Sequence, residues 1–254
     1  MRKVLPVCLL PLLAGCWGNC YRTESYAALS SAAPPPVGAV FVANGSGDFR
    51  TVCTNLRQVV AELSVPLQIE TCTWSHGYLR YCIDHLDHAN HLHHGRLLAS
   101  QVAAYRQAYA NRRIYLIGHS AGCAVVLAAA ELLAPNGVER IILLSPSVCT
   151  SYDLRPALHT ARSGIDVFYS NQDRVILGLG MTIVGTSEGS CRTAAGQVGF
   201  TPVLACPADA ALYSKLREHP WDPMVEWTGH NGGHYGSNQA GFLQAYVLPL
   251  LMGN

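Results

Sequence analysis

"RRIYLIGHSAGCAVV", residues 112–126, is the stretch on which the reading of this chain turns. "IYLIG" (114–118) is a run of β-formers without a polar break, the pattern of a strand buried on both faces. From Ser120 onward, "SAGCAVVLAAAELL" (120–133) reads as an apolar, alanine-rich helix. A serine at so abrupt a strand-to-helix change sits where a nucleophile elbow would place it, and such a turn requires small neighbours. Gly118, Ala121 and Gly122 meet that need. The helix would also direct free N–H groups and the positive end of its dipole at a reacting oxygen. In a chain with 23 glycines the bare G-x-S-x-G carries little weight, and a close strand–helix contact is the competing reading.

Working outward, strand-like and helix-like segments alternate. "VGAVFVA" (37–43) and "LQIETCTW" (67–74) read as strands, with "FRTVCTNLRQVVAELS" (49–64) an amphipathic helix between them. A second helix is expected over 95–110, further strands in "VERIILLSP" and "GIDVFYS", a last strand in "MVEWT" (224–228), and a closing helix in "QAGFLQAYVLPLL". Between them, 174–215 reads as a loop-rich insertion with one short helix. Apolar strands alternating with helices imply an α/β domain over 37–254, a mainly parallel sheet of about six strands with helices on both faces.

This organisation resembles the α/β-hydrolase superfamily over nearly all of 37–254. The resemblance implies a triad ordered nucleophile, acid, histidine along the chain, with the acid after a later strand and the histidine before the final helix. Ser120, Asp173 in "IDVFYSNQD" and His234 in "TGHNGGHYGS" stand in that order. Asp166, inside the same strand, and Asp153, read as a helix N-cap, are the rivals of Asp173; His230 is the rival of His234. The oxyanion hole would take the N–H of Ala121 and a second amide from "ANGSGD" (43–48), where Ser46 is the choice. The histidine–glycine pair common there in the family is replaced by Asn44-Gly45. The expected activity is carboxylic-ester hydrolysis through an acyl-enzyme, without a cofactor. A peptidase, amidase or acyltransferase with the same triad, and a non-catalytic binding protein on the same scaffold, are the alternatives.

Residues 1–15 read as a signal peptide. Arg2-Lys3 precede the apolar "VLPVCLLPLLAG", which is too short to span a bilayer. Leu13-Ala14-Gly15-Cys16 resembles the lipobox of bacterial lipoprotein precursors, which implies lipidation at Cys16; an ordinary secretory cleavage nearby is the other reading. Residues 16–36, ending "SSAAPPP", suit a tether. The expectation is an exported, membrane-anchored protein of a bacterial cell envelope. The eight cysteines beyond Cys16 suggest disulfides, Cys191–Cys206 being the favoured pair. Charge is balanced, 17 Lys+Arg against 16 Asp+Glu, with no basic run, which argues against nucleic acid as a partner and leaves a small ester or acyl substrate. "DHLDHANHLHHG" carries His85, His88, His91, His93 and His94. Spacings of three would suit zinc or copper on a helix face. Solvated histidines near the site mouth are the plainer reading, and no metal is assigned.

Overall fold

The computed structural model describes residues 36–173, 186–187 and 193–253. The signal segment 1–15, nearly all of the tether and, within the 174–215 insertion, residues 174–185 and 188–192 lie outside these residues, as do Cys16 and Cys191. Six strands, β1 (Gly38–Ala43), β2 (Leu67–Cys72), β3 (Arg113–His119), β4 (Arg140–Leu144), β5 (Ile165–Tyr169) and β6 (Leu216–Pro220), form one sheet. Every pairing is parallel, in the order β2-β1-β3-β4-β5-β6. The order reverses between β1 and β3, so their carboxyl ends open a crevice, the usual ligand position in such sheets.

Helix α1 (Thr51–Glu62) packs on one face with the closing segment, which runs as Ala240–Phe242, a π-helical turn Leu243–Val247 and Leu248–Met252. Val40, Val42, Tyr115, Ile117, Ile142, Leu144 and Phe168 supply the sheet side of that core. Helix α4 (Gly122–Ala130) is buried along its whole length against α3 (His88–Ala108). The alanine-rich composition is what permits this: a Cβ on Gly95 of α3 would come within 2.7 Å of Ala128 Cβ. Among the described residues no helix is long and apolar enough to cross a membrane.

Two expectations are corrected. "MVEWT" is not a strand; Pro223–Thr228 is a 3-10 helix, opened by Asp222, whose carboxylate accepts from Met224 N at 2.7 Å. Met224 and Trp227 are largely exposed, so the apolar alternation that suggested a strand has no sheet to face. The sixth strand is "LREHP", an edge strand whose half-exposed charges hid it. The Cys191–Cys206 bridge is not formed either, since Cys206 is an exposed free thiol. Cys53, Cys72 and Cys82 are likewise unbridged. Cys53 sits instead 2.8 Å from Thr71 Oγ1, and burial pushes the Cys72 thiol up to about 12. Cys149, by contrast, is disulfide-bonded.

Candidate active site

The turn after β3 is built around two glycines. A Cβ on Gly118 would lie 2.7 Å from Cys123 Cα, and one on Gly122 would lie 2.3 Å from Ala43 O. No larger residue fits either place. Ser120 itself adopts φ 53°, the left-handed region that costs a non-glycine residue about 1–3 kcal/mol and recurs at functional sites. Its amide donates to Leu144 O at 3.0 Å, which fastens the strained turn to β4.

Sequence-distant loops converge on the Ser120 hydroxyl. His234 Nδ1 lies 2.5 Å from Asp173 Oδ2, and His234 Nε2 lies 2.9 Å from Ser120 Oγ. Because a carboxylate oxygen only accepts, Nδ1 carries the proton, and Nε2 is left to accept from the serine hydroxyl. All three residues are buried, with Ser120 the most open at 7% exposure. Asp173 stands beyond the carboxyl end of β5, where Asp173 N donates to Ser170 O.

The rivals occupy other places. Asp166 is fully buried inside β5, where Arg140 of β4 and Arg217 and His219 of β6 surround it at 2.5–3.0 Å. Burial pushes its carboxyl up, but the hydrogen bonds from His219, Arg217 and Arg140 outweigh that and hold it well below the usual carboxylate range. It ties three strands together and does not meet Ser120. Asp153 accepts from the backbone and guanidinium of Arg155 at the start of helix α5 (Arg155–Thr160). His230 is turned away from the serine: its Nδ1 accepts from Gly232 N at 3.1 Å, its carbonyl accepts from Trp221 Nε1, and its ring meets Phe242 edge-on. Burial pushes His230 down to about 4, so it is neutral at physiological pH.

Of the two expected oxyanion donors, Ala121 follows the serine directly and Ser46 follows Gly45, which packs against it. Among the described residues, no hydrogen bond uses the amide of Ala121 or of Ser46. Ser46 opens a 3-10 turn (Ser46–Asp48) after Gly45, whose missing Cβ would stand 3.3 Å from Ser120 Cβ. The Gly47 amide is not available, because it donates to Asp84 Oδ2 at 2.7 Å.

Three residues near the site carry roles that the sequence did not reveal. Asp84, in helix α2 (Tyr81–Leu86), is fully buried and also accepts from Ser75 Oγ, His76 N and His76 Nδ1. His76 reaches Asp87 with its other nitrogen, at 3.3 Å. His119, next to the serine, is pushed down to about 3 by burial, with His234 alongside adding to the effect. It is therefore neutral, and its Nε2–H donates to the His234 carbonyl at 3.2 Å, fixing the loop that carries the histidine. The histidine run itself serves helix α3: Asp87 caps it at Asn90 N, and His91 Nε2 donates to Asp84 O at 2.6 Å. Among the described residues, no three His, Cys, Asp or Glu side chains gather as a metal-holding group.

The alpha/beta hydrolase fold family matches residues 48–165. The comparison with curated proteins found no match. Among solved structures, the chain is similar to Trichoderma reesei cutinase in complex with a phosphonate inhibitor, at 20% identity and TM-score 0.35, over 45% of this chain and 54% of that one. It is similar to the catalytic core domain of acetyl xylan esterase from Trichoderma reesei, at 13% identity and TM-score 0.42, over 84% and 99%. A third, from Xanthomonas campestris pv. campestris and assigned to the alpha/beta superfamily of hydrolases, has 17% identity and TM-score 0.48, over 85% and 99%. At these values the likeness says nothing of substrate. The all-parallel six-stranded sheet with helices on its faces is consistent with the α/β-hydrolase fold, whose family model matches residues 48–165, somewhat under half of the chain.

Proposed function

We propose that the protein is a serine hydrolase that cleaves carboxylic esters through an acyl-enzyme on Ser120. The observation that carries this reading is one buried imidazole hydrogen-bonded to both a strained serine and a carboxylate, at 2.9 and 2.5 Å. His234 Nε2 takes the hydroxyl proton as Ser120 Oγ bonds to the ester carbon. The carbonyl π pair moves onto oxygen, where the Ala121 and Ser46 amides donate to it, each contributing about 3 kcal/mol to the barrier reduction. Collapse of that intermediate breaks the bond to the alcohol oxygen, which leaves with the proton from His234. Water then attacks the acyl carbon with His234 again as base, releasing the acid and restoring Ser120. Asp173 holds the imidazole tautomer and stabilises the imidazolium between steps.

A panel of esters and amides, run on wild type and Ser120→Ala, tests this. Alanine fits the elbow, so the variant is expected to fold and to lose at least about a thousandfold in kcat/KM. Full activity in the variant would overturn the reading, and amide turnover exceeding ester turnover would overturn its ester assignment.

We further propose export and lipid anchoring at Cys16, with 17–36 as the tether. The cationic start, the short apolar stretch and Leu13-Ala14-Gly15-Cys16 support this. Mass spectrometry of the mature N-terminus tests it: an acylated Cys16 is expected, and an unmodified terminus downstream of it would contradict the proposal.

A further inference from the structure

Next to Tyr235, the chain neighbour of His234, lies a concavity of about 260 Å³ whose walls are the rings of Phe49, Tyr81 and Tyr235. It stands between two parts of the site. On one side, the Tyr235 ring centroid is 5.2 Å from that of His234 and 5.7 Å from that of His119. On the other, Tyr81 lies against the turn that carries Ser46, since a Cβ on Gly47 would meet Tyr81 Cε1 at 2.8 Å. Tyr81 and Phe49 stack nearly parallel, 19° apart at 5.4 Å. Thr51, Asn55, Asn238 and Gln239 supply the polar part of the lining.

Part of that polar lining is bonded within the protein. Asn55 Nδ2 donates to Asn238 O, Asn238 Nδ2 donates to Thr51 Oγ1, and Gln239 Nε2 donates to Tyr235 O. Asn238 Oδ1, in a residue only 1% exposed, has no hydrogen-bond partner among the described residues. That oxygen is sealed from water, and so from any ligand hydroxyl, and it sets no preference among ligands.

Resting on the ester-hydrolase reading, we infer that this pocket is the subsite for a single aromatic ring on one side of the scissile ester. Benzene occupies an apolar cavity of about 150 Å³, so this volume holds one ring and the first atoms of a linker. A flat ring gains offset or edge contacts with three aromatic side chains. An aliphatic chain would cover the same surface without the ring–ring contacts. A sugar would bring several hydroxyls against three apolar ring walls.

The test is equilibrium binding to the Ser120→Ala protein, which separates binding from turnover. The probes are methyl 4-hydroxybenzoate, methyl benzoate, methyl octanoate and methyl glucoside, followed by calorimetry. Methyl benzoate and methyl 4-hydroxybenzoate are expected to bind comparably, each about three- to tenfold tighter than methyl octanoate or methyl glucoside. Adding Tyr81→Ala, or separately Phe49→Ala, is expected to weaken the aryl ligand about three- to tenfold. Tyr81 is 39% exposed, so its truncation leaves the core filled. The inference is overturned if the aryl ester shows no saturable binding, if the octanoate or the glucoside binds tighter, or if both ring truncations leave its affinity unchanged. Aryl binding without ester turnover or Ser120 labelling in the wild type would overturn the hydrolase reading alone. Ester turnover without aryl preference in binding would overturn this inference alone.

Discussion

Asp84→Asn is the perturbation that most sharply separates the site from its scaffold. The Asp84 side chain accepts from two backbone amides through different oxygens: Gly47 N at Oδ2 and His76 N at Oδ1, both at 2.7 Å. Asparagine has one carbonyl oxygen and one NH2, so either orientation leaves a backbone N–H facing a donor. The hydroxyl of Ser75 and the imidazole of His76 can reverse their roles, but the two amides cannot. One buried amide therefore loses its acceptor, at a cost of about 1–3 kcal/mol in stability. If Gly47 is the one released, the turn carrying Ser46 loses its anchor. A loss of about 1.4 kcal/mol in transition-state stabilisation is a tenfold fall in kcat. The oxyanion donor acts mainly in the transition state, so kcat is expected to fall about three- to thirtyfold with KM little changed. Urea unfolding and steady-state kinetics on a soluble ester measure both quantities. Wild-type stability with wild-type kcat would refute the argument. Lowered stability with unchanged kcat would show that Asp84 holds the fold but does not position the turn.

Two further outcomes are expected. His234→Ala is expected to lose activity as severely as Ser120→Ala, whereas His230→Ala keeps most of kcat and loses about 1–3 kcal/mol of stability with its loop bonds; the reverse pattern in parallel kinetics would reassign the base. His119 and His230, held down to about 3 and 4, stay neutral in the fold while the unfolded chain protonates below about 6.5, so stability falls as pH drops from 6.5 towards 4 by up to roughly 1.4 kcal/mol per unit for each. A melting temperature flat between pH 7 and 4.5 would contradict this.

The parts of the fold legible in the sequence are those whose residues meet a uniform environment. β3 and β4 lie buried between helix layers, so their apolar runs announce them. β6 was not legible, because an edge strand is half solvated: Arg217 and His219 turn to Asp166, and Glu218 accepts from Phe200 N. Helix α3 begins at His88, before the expected 95, because its cap is Asp87, in a stretch whose histidines drew attention to metals instead. Ser120, Asp173 and His234 come together because each follows a strand's carboxyl end or precedes the final helix, places that topology defines. Asp84 and His119 act through contacts with residues 37 and 115 positions away, and no local pattern records such contacts.

The central claim, that Ser120 is a nucleophile activated by His234, is tested most directly by reacting the intact protein with a fluorophosphonate and locating the adduct by peptide mass spectrometry. One adduct per chain is expected, on Ser120, absent from Ser120→Ala and slowed by at least about a thousandfold in His234→Ala. No adduct, an adduct on another residue, or an undiminished rate in His234→Ala would contradict it.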